Sequence, residues 1–336
     1  MNNTSSNICP CCHSSNLNEL YDIGYGRVCQ CRACETAFTV FSTTNLNETN
    51  KIFAERDFIK ARLYDQYKLR KVARRRLKVL TEFMEKGNIL EFGSSTGEFL
   101  FESANKGFNI TSADIHTSVL NINKTDRLKT MQKPDEVLSR ARQEYDAIVA
   151  FHVVEHLSDP GEFFTKCSKI LNPGGIFFIE VPNFDDITRK ILKDKWNLFY
   201  DYHICHFTKR SIMQLLARHG YDVLSVRSVD QTMRYFTPIY HPLRDFLWDL
   251  LKSVANRQKN ESSGNTEDQG ITSFAGYTLE QEQRIMSSLK ARIYRVEKGL
   301  MRVASKIVFP LSKIAEVFCM GSFLQIVAKN GKNEKN

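Results

Sequence analysis

The stretch Asn88-Ile-Leu-Glu-Phe-Gly-Ser-Ser-Thr-Gly-Glu-Phe-Leu100 joins a short apolar run, a turn of small residues and the start of a helical pattern. The apolar run predicts a buried strand, and the segment from Gly93 to Gly97 predicts a tight turn in which the backbone can approach a ligand. The helix that follows points its first N–H groups at that turn. This order of elements is typical of the nucleotide site of a doubly wound α/β domain.

An acidic residue supports the same kind of site. The next apolar run, Phe108 to Ala113, is closed by Asp114, which lies 17 residues past Gly97. A carboxylate at a strand end can accept hydrogen bonds from a ribose diol. The glycine turn alone is a weak signal, because many strand-to-helix turns need small residues, so Asp114 adds weight to a nucleotide-type cofactor.

Four motifs in this order resemble the class I S-adenosylmethionine-dependent methyltransferases. They are the turn after Glu91, then Asp114, then the segment from Tyr145 to Pro160, and then the segment from Leu171 to Asn183. The resemblance covers roughly residues 50 to 230 and the last strand. It implies a Rossmann-like, seven-stranded sheet and S-adenosylmethionine as cofactor. By resemblance, the cofactor-binding residues are Glu91, Gly93, Ser95, Gly97, Asp114, Phe151 and His152.

The chain departs from the family signature at Ser95, where the middle glycine is expected. Serine is small, so we expect a slightly altered loop that still binds the cofactor. The residue that would contact adenine is not assigned, because Asp126 and Asp135 fit that position only loosely.

Six of the nine cysteines fall before residue 35. Two C-x-x-C pairs, Cys9 with Cys12 and Cys31 with Cys34, suit one tetrahedral thiolate site, and a reducing compartment favours metal over disulfides there. Such a site has no open position, so a zinc ion held by these four residues would be structural. Cys11 and Cys29 remain as spare cysteines that could substitute for a ligand.

The predicted organisation has four parts. We expect a zinc ribbon over 1–45, a methyltransferase core over 46–232, a helical insertion over 233–318 and the final core strand over 319–330. Within the insertion, apolar residues from Met286 to Ile307 repeat like a coiled-coil seam. This seam is expected to pack against a helix near Leu243, with a homodimer contact or a membrane-surface helix as alternatives.

Bulk composition limits the class of protein. The 336 residues are 42% apolar and 25% charged, without a signal-peptide pattern or a run of 18 apolar residues, which predicts a cytoplasmic globular protein with no transmembrane segment. Much of the net charge of +9 comes from residues 51–80, which hold eleven Lys or Arg against three acidic residues. That basic face could meet phosphorylated substrates, RNA or anionic lipid, or simply be solvated.

His152, Glu155 and His156 follow a predicted buried strand and can share one face of a helical turn. They could line the pocket wall, supply a general base, or bind a divalent metal together with His203 or His206. The spacing resembles the E-x-x-E-H element that ligates metal in ubiquinone-pathway O-methyltransferases and in small-RNA 2′-O-methyltransferases. Here the first glutamate is His152, so a second divalent metal near Glu155 and His156 is only one of these alternatives.

The polar and aromatic loop from Asn183 to Phe207 is the predicted acceptor pocket, since long connections at the ligand edge often contact substrate. The candidate catalytic bases are His156, His203 and His206.

A cysteine ribbon ahead of this core also resembles bacterial sugar C-methyltransferases. We therefore expect methyl transfer to a small molecule, a sugar or nucleotide-linked sugar, with an RNA methyltransferase or a non-catalytic cofactor-binding scaffold as alternatives.

Overall fold

A computed structural model describes residues 8–42, 66–115, 128–140, 142–229 and 313–331. The strands are β1 Leu17–Asp22, β2 Gly26–Cys31, β3 Ala37–Phe41, β4 Asn88–Phe92, β5 Asn109–Ala113, β6 Leu128–Gln132, β7 Tyr145–Phe151, β8 Leu171–Pro182, β9 Cys205–His206, β10 Tyr221–Val229 and β11 Phe323–Asn330. The helices are α1 Gln66–Leu80, α2 Glu98–Lys106, α3 Pro134–Leu138, α4 Pro160–Ile170, α5 Ile187–Leu192 and α6 Lys209–Arg218.

The larger sheet has seven strands in the order β10-β11-β8-β7-β4-β5-β6. The five strands from β8 to β6 run parallel, whereas β11 is antiparallel to both of its neighbours. The chain goes outward from β4 to β5 and β6 and then returns to the other side of β4 as β7. The order therefore reverses between β4 and β7, which is where open α/β sheets bind ligands. The predicted fold class is confirmed.

Helices cover both faces of this sheet. Neighbouring residues of a strand point to opposite faces, so each strand contributes side chains to both layers. Ile89 faces the layer that contains α1 and α2, while Leu90 faces the layer that contains α4 and α6. The strands β7 and β8 are buried on both faces, which explains why they are nearly continuous apolar runs in the sequence.

The second sheet is antiparallel and has the order β1-β2-β3-β9. Its first three strands form the N-terminal ribbon, but its fourth strand, Cys205–His206, belongs to the loop that the sequence assigns to the core. Thr39 N donates to Ile204 O at 2.8 Å, which extends the pairing by one more hydrogen bond. The ribbon and the acceptor loop are thus hydrogen-bonded into one sheet.

Apolar packing holds the same junction. Val28 and Ala37 of the ribbon are buried in one cluster with aromatic side chains of the loop and with Phe323 of β11. The loop members of that cluster are Phe184, Trp196, Leu198 and Phe199. Much of the predicted acceptor loop therefore serves as a packing surface for the ribbon.

The helix α1 is fixed to α2 by a carboxylate shared between two arginines. Arg70 Nε donates to Glu102 Oε1 at 2.7 Å, and Arg74 Nε donates to Oε2 at 2.9 Å. Burial raises the pKa of Glu102, but the two guanidinium groups together lower it by more. The net pKa therefore lies below its ordinary value near 4.5. Its contribution to stability is therefore present above that ordinary pKa and is lost as the pH falls through the lowered one.

We expect Glu102→Gln to lower the free energy of unfolding by about 1 to 2 kcal/mol at pH 7, because hydrogen bonds to a charged group are lost. The difference from the parent should shrink as the pH falls below about 4.5. Urea unfolding at pH 7 and at a pH below about 4.5 measures this difference in the free energy of unfolding. Glu82→Gln, which breaks an exposed pair with Arg227, is the control and should cost less. A difference that does not change with pH would contradict the role of the carboxylate.

The predicted helical insertion lies almost wholly outside the described residues, as do the seam over 286–307 and the homodimer contact assigned to it. None of the helices in the described ranges has the length and apolar character needed to cross a membrane.

Candidate functional site

The turn between β4 and α2 takes a backbone conformation that favours glycine. Gly93 has φ 70° and Gly97 has φ 81°, and a Cβ atom on Gly93 would lie only 2.6 Å from Val153 Cγ2. Gly93 N donates to Ala113 O at 2.9 Å, which ties the turn to the end of β5. The turn is therefore compact and lies at the carboxyl edge of the sheet, beside the residues that follow β7.

Asp114 meets this turn directly. Its Oδ2 accepts the N–H of Ser95 at 2.9 Å, and the side chain is buried. Glu91 is buried at the end of β4. The structure thus brings four of the proposed cofactor residues, Gly93, Ser95, Gly97 and Asp114, to one place next to the switch point, with Glu91 in the adjoining strand.

Ser95 is the one member of the turn with a side chain in an unfavourable backbone region, since its φ is 48°. A left-handed conformation costs an L-residue about 1 to 2 kcal/mol, while glycine loses about 0.5 to 1 kcal/mol in chain entropy. We expect Ser95→Gly to raise the free energy of unfolding by about 0.5 to 1 kcal/mol, measured by chemical denaturation.

Ser94→Gly is the matched control for this prediction. Ser94 is not among the residues with positive φ, and its Oγ lies 2.7 Å from Ser112 Oγ, so its replacement should destabilise the protein. Equal destabilisation by both variants would show that the turn carries no strain at Ser95.

Phe151 is the last residue of β7 and His152 follows it, and their side chains lie in different surroundings. The Phe151 ring lies 5.0 Å from the rings of both Phe99 and Phe178, and the guanidinium of Arg76 lies 4.3 Å above it. Phe151 is therefore part of the packed layer beneath α1 and α2. His152 has φ 57° and points into a charged network, described next. The cofactor roles of both residues remain predictions.

Glu180 lies at the centre of this network. Its side chain is 3% exposed and is paired with the guanidinium of Arg76, while Gln325 Nε2 donates to its Oε2 at 2.6 Å. His152 bridges two carboxylates, with Nε2 3.0 Å from Glu180 Oε1 and Nδ1 3.3 Å from Glu155 Oε1. The polar chain therefore runs from Arg76 through Glu180 and His152 to Glu155.

The network decides the charges of its members. Burial lowers the pKa of His152, but hydrogen bonds to Glu155 and Glu180 raise it more strongly, so the net pKa is raised. Burial raises the pKa of Glu180, and the charges of Arg76 and His152 outweigh this and hold it far below its usual range. His152 therefore contacts both carboxylates and helps to fix the position of the Glu155 side chain.

Glu155, His156 and His203 each offer one ligand atom within 4.8 Å of the other two. Glu155 lies in the short 3₁₀ turn after β7, and its backbone O accepts from Ile204 N at 2.8 Å. The acceptor loop thereby places His203 beside this turn. Glu155 is fully buried, and its Oε2 has no hydrogen-bond partner among the described residues.

The two imidazoles are oriented by backbone carbonyls. His156 Nδ1 lies 2.9 Å from Tyr202 O, and His203 Nδ1 lies 2.9 Å from Leu198 O. A carbonyl only accepts, so both Nδ1 atoms carry a proton, and Nε2 is the ligand atom that each ring can offer. Burial and then the neighbouring His156 and His206 lower the pKa of His203 well below its usual range, so His203 is neutral at pH 7.

His206 occupies a separate place. It lies in β9, its Nε2 is 2.8 Å from Thr39 Oγ1, and its ring packs against Phe184, Trp196 and Phe199. Burial lowers its pKa to about 3, which makes it a weak base at neutral pH. The physical surroundings of His206 therefore favour a role in the ribbon junction over the predicted role of general base.

The four ribbon cysteines converge. The Sγ atoms of Cys9, Cys12, Cys31 and Cys34 all lie within 4.8 Å of one another. Cys9 and Cys34 are 3.4 Å apart, and Cys12 and Cys31 are 3.5 Å apart. Tetrahedral zinc with Zn–S bonds of about 2.3 Å needs sulfurs about 3.8 Å apart, so the four thiols fit that ion.

The two spare cysteines differ from these four. Cys11 N donates to Cys9 Sγ at 3.4 Å, an N–H contact that suits a thiolate. Cys29 is buried in β2 and is not a member of the four-sulfur group. Hydrogen bonding to Cys9, followed by burial, raises the pKa of Cys34 to about 12, so a bound cation would have to displace protons from the thiols.

Sequence reasoning missed several residues of this edge. Arg76, Glu180 and Gln325 come from three distant segments, and Thr39 comes from the ribbon. One signal was visible, because Glu180 is the acidic exception in an otherwise apolar strand. The other three have no local pattern that separates them from surface residues.

Residues 64–226, or 163 of the 336, match the family model described as a methyltransferase domain. Together with the strand order and the glycine turn, this match identifies the core as a class I S-adenosylmethionine-dependent methyltransferase domain.

Curated relatives share part of this core. A ubiquinone biosynthesis O-methyltransferase of Caulobacter vibrioides is 29% identical over 102 residues, which are 28% of this chain and 40% of that protein. A Mycolicibacterium smegmatis protein, named "Probable S-adenosylmethionine-dependent methyltransferase", is 45% identical over 78 residues, which are 23% of this chain and 29% of that protein. The chain thus spans less than half the length of each.

Among solved structures, an S-adenosylmethionine-dependent methyltransferase of Archaeoglobus fulgidus aligns with 82% of this chain and 100% of its own. The identity is 16% and the TM-score is 0.46.

Proposed function

We propose that this protein transfers a methyl group from S-adenosylmethionine to a small-molecule acceptor, and that the acceptor is a sugar or a nucleotide-linked sugar. One observation carries the reaction type. The glycine turn after β4, which Asp114 contacts, and the 3₁₀ turn after β7, which carries Glu155 and His156, lie at the carboxyl ends of adjacent strands on the two sides of the switch point. His203 of the acceptor loop joins the second group.

The first group suits the cofactor. The Gly93–Gly97 turn leaves room for close backbone approach, and the Asp114 carboxylate is of the type that accepts from ribose hydroxyls. When bound, S-adenosylmethionine supplies a methyl group on an activated sulfonium. The residues of the chain then need mainly to align the acceptor and to remove its proton.

The second group suits a divalent cation. The ring nitrogens of His156 and His203 and a buried Glu155 carboxylate oxygen that has no partner among the described residues are a donor set for such an ion. Ring N–H groups held by carbonyls are the usual support of such ligands. A cation there would lower the pKa of an acceptor hydroxyl. His152 would hold Glu155 in position through the contact of its Nδ1 with Glu155 Oε1. If no metal binds, His156 is the candidate general base.

A nucleic-acid methyltransferase is the second candidate, because exposed cations follow one face of α1. Lys68, Lys71, Arg75 and Lys78 recur at helical spacing on that face. Arg70, Arg74 and Arg76 are used in ion pairs with Glu102 and Glu180, so they add less to the described part of the basic face, residues 66–80. The rest of that face, residues 51–65, lies outside the described residues. RNA binding through this face would weaken steeply with salt, whereas transfer to a small neutral sugar would not.

The reaction is tested by incubating the purified protein with methyl-labelled S-adenosylmethionine and separate extract fractions containing sugar nucleotides, lipids or RNA. Label in the sugar-nucleotide fraction supports the proposal, and label in RNA supports the second candidate. Absence of transfer to every fraction would favour a non-catalytic scaffold.

Asp114→Asn tests the cofactor site by calorimetry. The amide keeps an oxygen that can accept from Ser95 N–H but removes the charge, so affinity for S-adenosylmethionine should fall about 10- to 100-fold. Asp222→Asn on the edge strand β10 is the control and should bind like the parent. Equal affinities of all three proteins would rule out the cofactor role of Asp114.

A further inference from the structure

A second cavity opens at the same edge of the sheet, between α5, α6 and the segment Phe318–Met320. Its volume is about 670 Å³, within the range of small-molecule sites. Three cations line it, Lys190, Lys209 and Arg210, against the single acid Asp185. The cavity therefore carries an excess of positive charge.

The lysines of this groove lack acidic partners within the described residues. The hydrogen bonds recorded for them are to sulfur, from Lys190 Nζ to Met320 at 3.7 Å and from Lys209 Nζ to Cys319 at 3.9 Å. Arg210 does pair with Glu35 of the ribbon at 3.0 Å, but its side chain is 70% exposed. As far as the described residues go, the two ammonium groups therefore have no carboxylate to compete with a bound anion.

The position of these cations conflicts with helix electrostatics. Lys209 and Arg210 form the first turn of α6, where the helix dipole is positive and acidic residues are the stabilising choice. Basic residues in the first turn of a helix depart from the usual electrostatic preference, and such departures are typical of functional sites. An anion bound there would contact both the basic side chains and the helix terminus.

Apart from Gln214 and Cys319, the remaining lining is apolar. Phe318 is 67% exposed, and Met213 and Met320 lie beside it in the groove. An exposed aromatic ring next to cations can stack on a planar base while the cations bind phosphates. The occupant that fits this combination is a nucleoside diphosphate.

The groove is connected to the proposed reaction site. Ile187 N donates to Met320 O at 3.1 Å, and Asn183 Nδ2 donates to Cys319 O at 2.9 Å, which fixes this segment beside the end of β8. From Met320 the chain reaches Phe323 within about 10 Å, and the Phe323 ring lies 4.8 Å from that of His152.

We propose that this groove binds the nucleoside diphosphate part of the acceptor and leaves the attached sugar at the Glu155, His156 and His203 cluster. The proposal rests on the proposed function, which it makes more specific, since it assigns the acceptor to nucleotide-linked sugars.

The test is calorimetric titration of the full chain with UDP, dTDP, GDP and ADP. The groove variant replaces Lys190, Lys209 and Arg210 by Gln, and the matched control replaces Lys71, Arg75 and Lys78 on α1 by Gln. Both lose three charges. We expect the groove variant to bind the preferred nucleotide at least about tenfold more weakly and the α1 variant to bind within about twofold of the parent.

Single variants provide a second measurement that does not disturb the pair with Glu35. Lys190→Gln and Lys209→Gln should each weaken nucleotide binding severalfold. Phe318→Ala should weaken nucleotide binding but leave the affinity for inorganic pyrophosphate unchanged. Titrations with anionic vesicles and with a single-stranded RNA identify a lipid or nucleic-acid partner instead.

The proposal is overturned if no nucleoside diphosphate binds the parent protein, if the two triple variants lose affinity equally, or if vesicles or RNA are the ligands that the groove variant loses. Failure of the proposed function is a different result, namely nucleotide binding without any binding of S-adenosylmethionine.

Discussion

Replacement of Cys31 by Ser should reduce the zinc content of the purified protein from about one ion per chain to a small fraction of that, as measured by mass spectrometry of the metal. Cys31 Sγ lies 3.5 Å from Cys12 Sγ in the four-sulfur cluster. A three-thiolate remnant binds zinc much more weakly, and structural zinc supplies about 10 to 16 kcal/mol of apparent folding free energy in small modules. We therefore expect the ribbon to unfold locally.

Local unfolding should extend beyond the ribbon. Thr39 is hydrogen-bonded to Ile204 and His206, so amide hydrogen exchange should accelerate in β2 and β3 and also in the loop that carries His203. Exchange in the parallel strands β4 and β7 should change little, since they lie in the other sheet.

Cys29→Ser is the control for this prediction, because Cys29 is equally buried two residues away but is outside the sulfur cluster. It should retain zinc. Full zinc in the Cys31 variant together with loss in the Cys29 variant would show that the pairing of ligands is shifted and that Cys29 is the true ligand.

Glu155→Gln should abolish binding of a divalent cation and lower methyl transfer by at least about 100-fold, with little change in affinity for S-adenosylmethionine. The substitution keeps the size of the side chain but removes the charge that faces His156 and His203. Mn²⁺ is a suitable probe, because it prefers oxygen and nitrogen over the thiolates of the ribbon. Electron paramagnetic resonance measures its binding, and label transfer measures turnover.

Glu162→Gln on the surface of α4 is the matched control and should behave like the parent in both measurements. If the parent binds no Mn²⁺ and His156→Ala removes turnover while Glu155→Gln does not, His156 acts as a general base without metal. Unchanged turnover in both variants would exclude this cluster from the reaction.

The positions of most core strands along the chain were predictable because the signals for them are local. An apolar run followed by glycine or an acidic residue marks the ends of β4 and β5, and two long apolar runs mark β7 and β8. The third core strand, β6, was not located from the sequence, because the segment after Asp114 has no clear period. The doubly wound, seven-stranded sheet then follows from the resemblance, and it is confirmed.

The site was only partly predictable. The Gly93–Gly97 turn and Asp114 are the first two motifs of the resemblance, and the structure places them in contact. The charged network joins Arg76 to Glu180 across 104 residues and Gln325 to Glu180 across 145 residues, so no periodicity can reveal it. His206 is a candidate base because it is a histidine of the predicted acceptor loop. Its contacts with Thr39 of the ribbon and with the aromatic rings of the loop bury it, and sequence spacing does not show them.

The pairing of β3 with β9 has a consequence for how the molecule is made. Thr39 and its partner His206 are 167 residues apart, so a ribosome adding about 5 to 20 residues per second completes that pair on the order of 10 to 30 s after the ribbon emerges. Until then Val28 and Ala37 lack the aromatic residues that cover them. The newly made ribbon therefore exposes apolar side chains during synthesis. Early binding of metal would shorten the time for which the ribbon is vulnerable to aggregation or proteolysis.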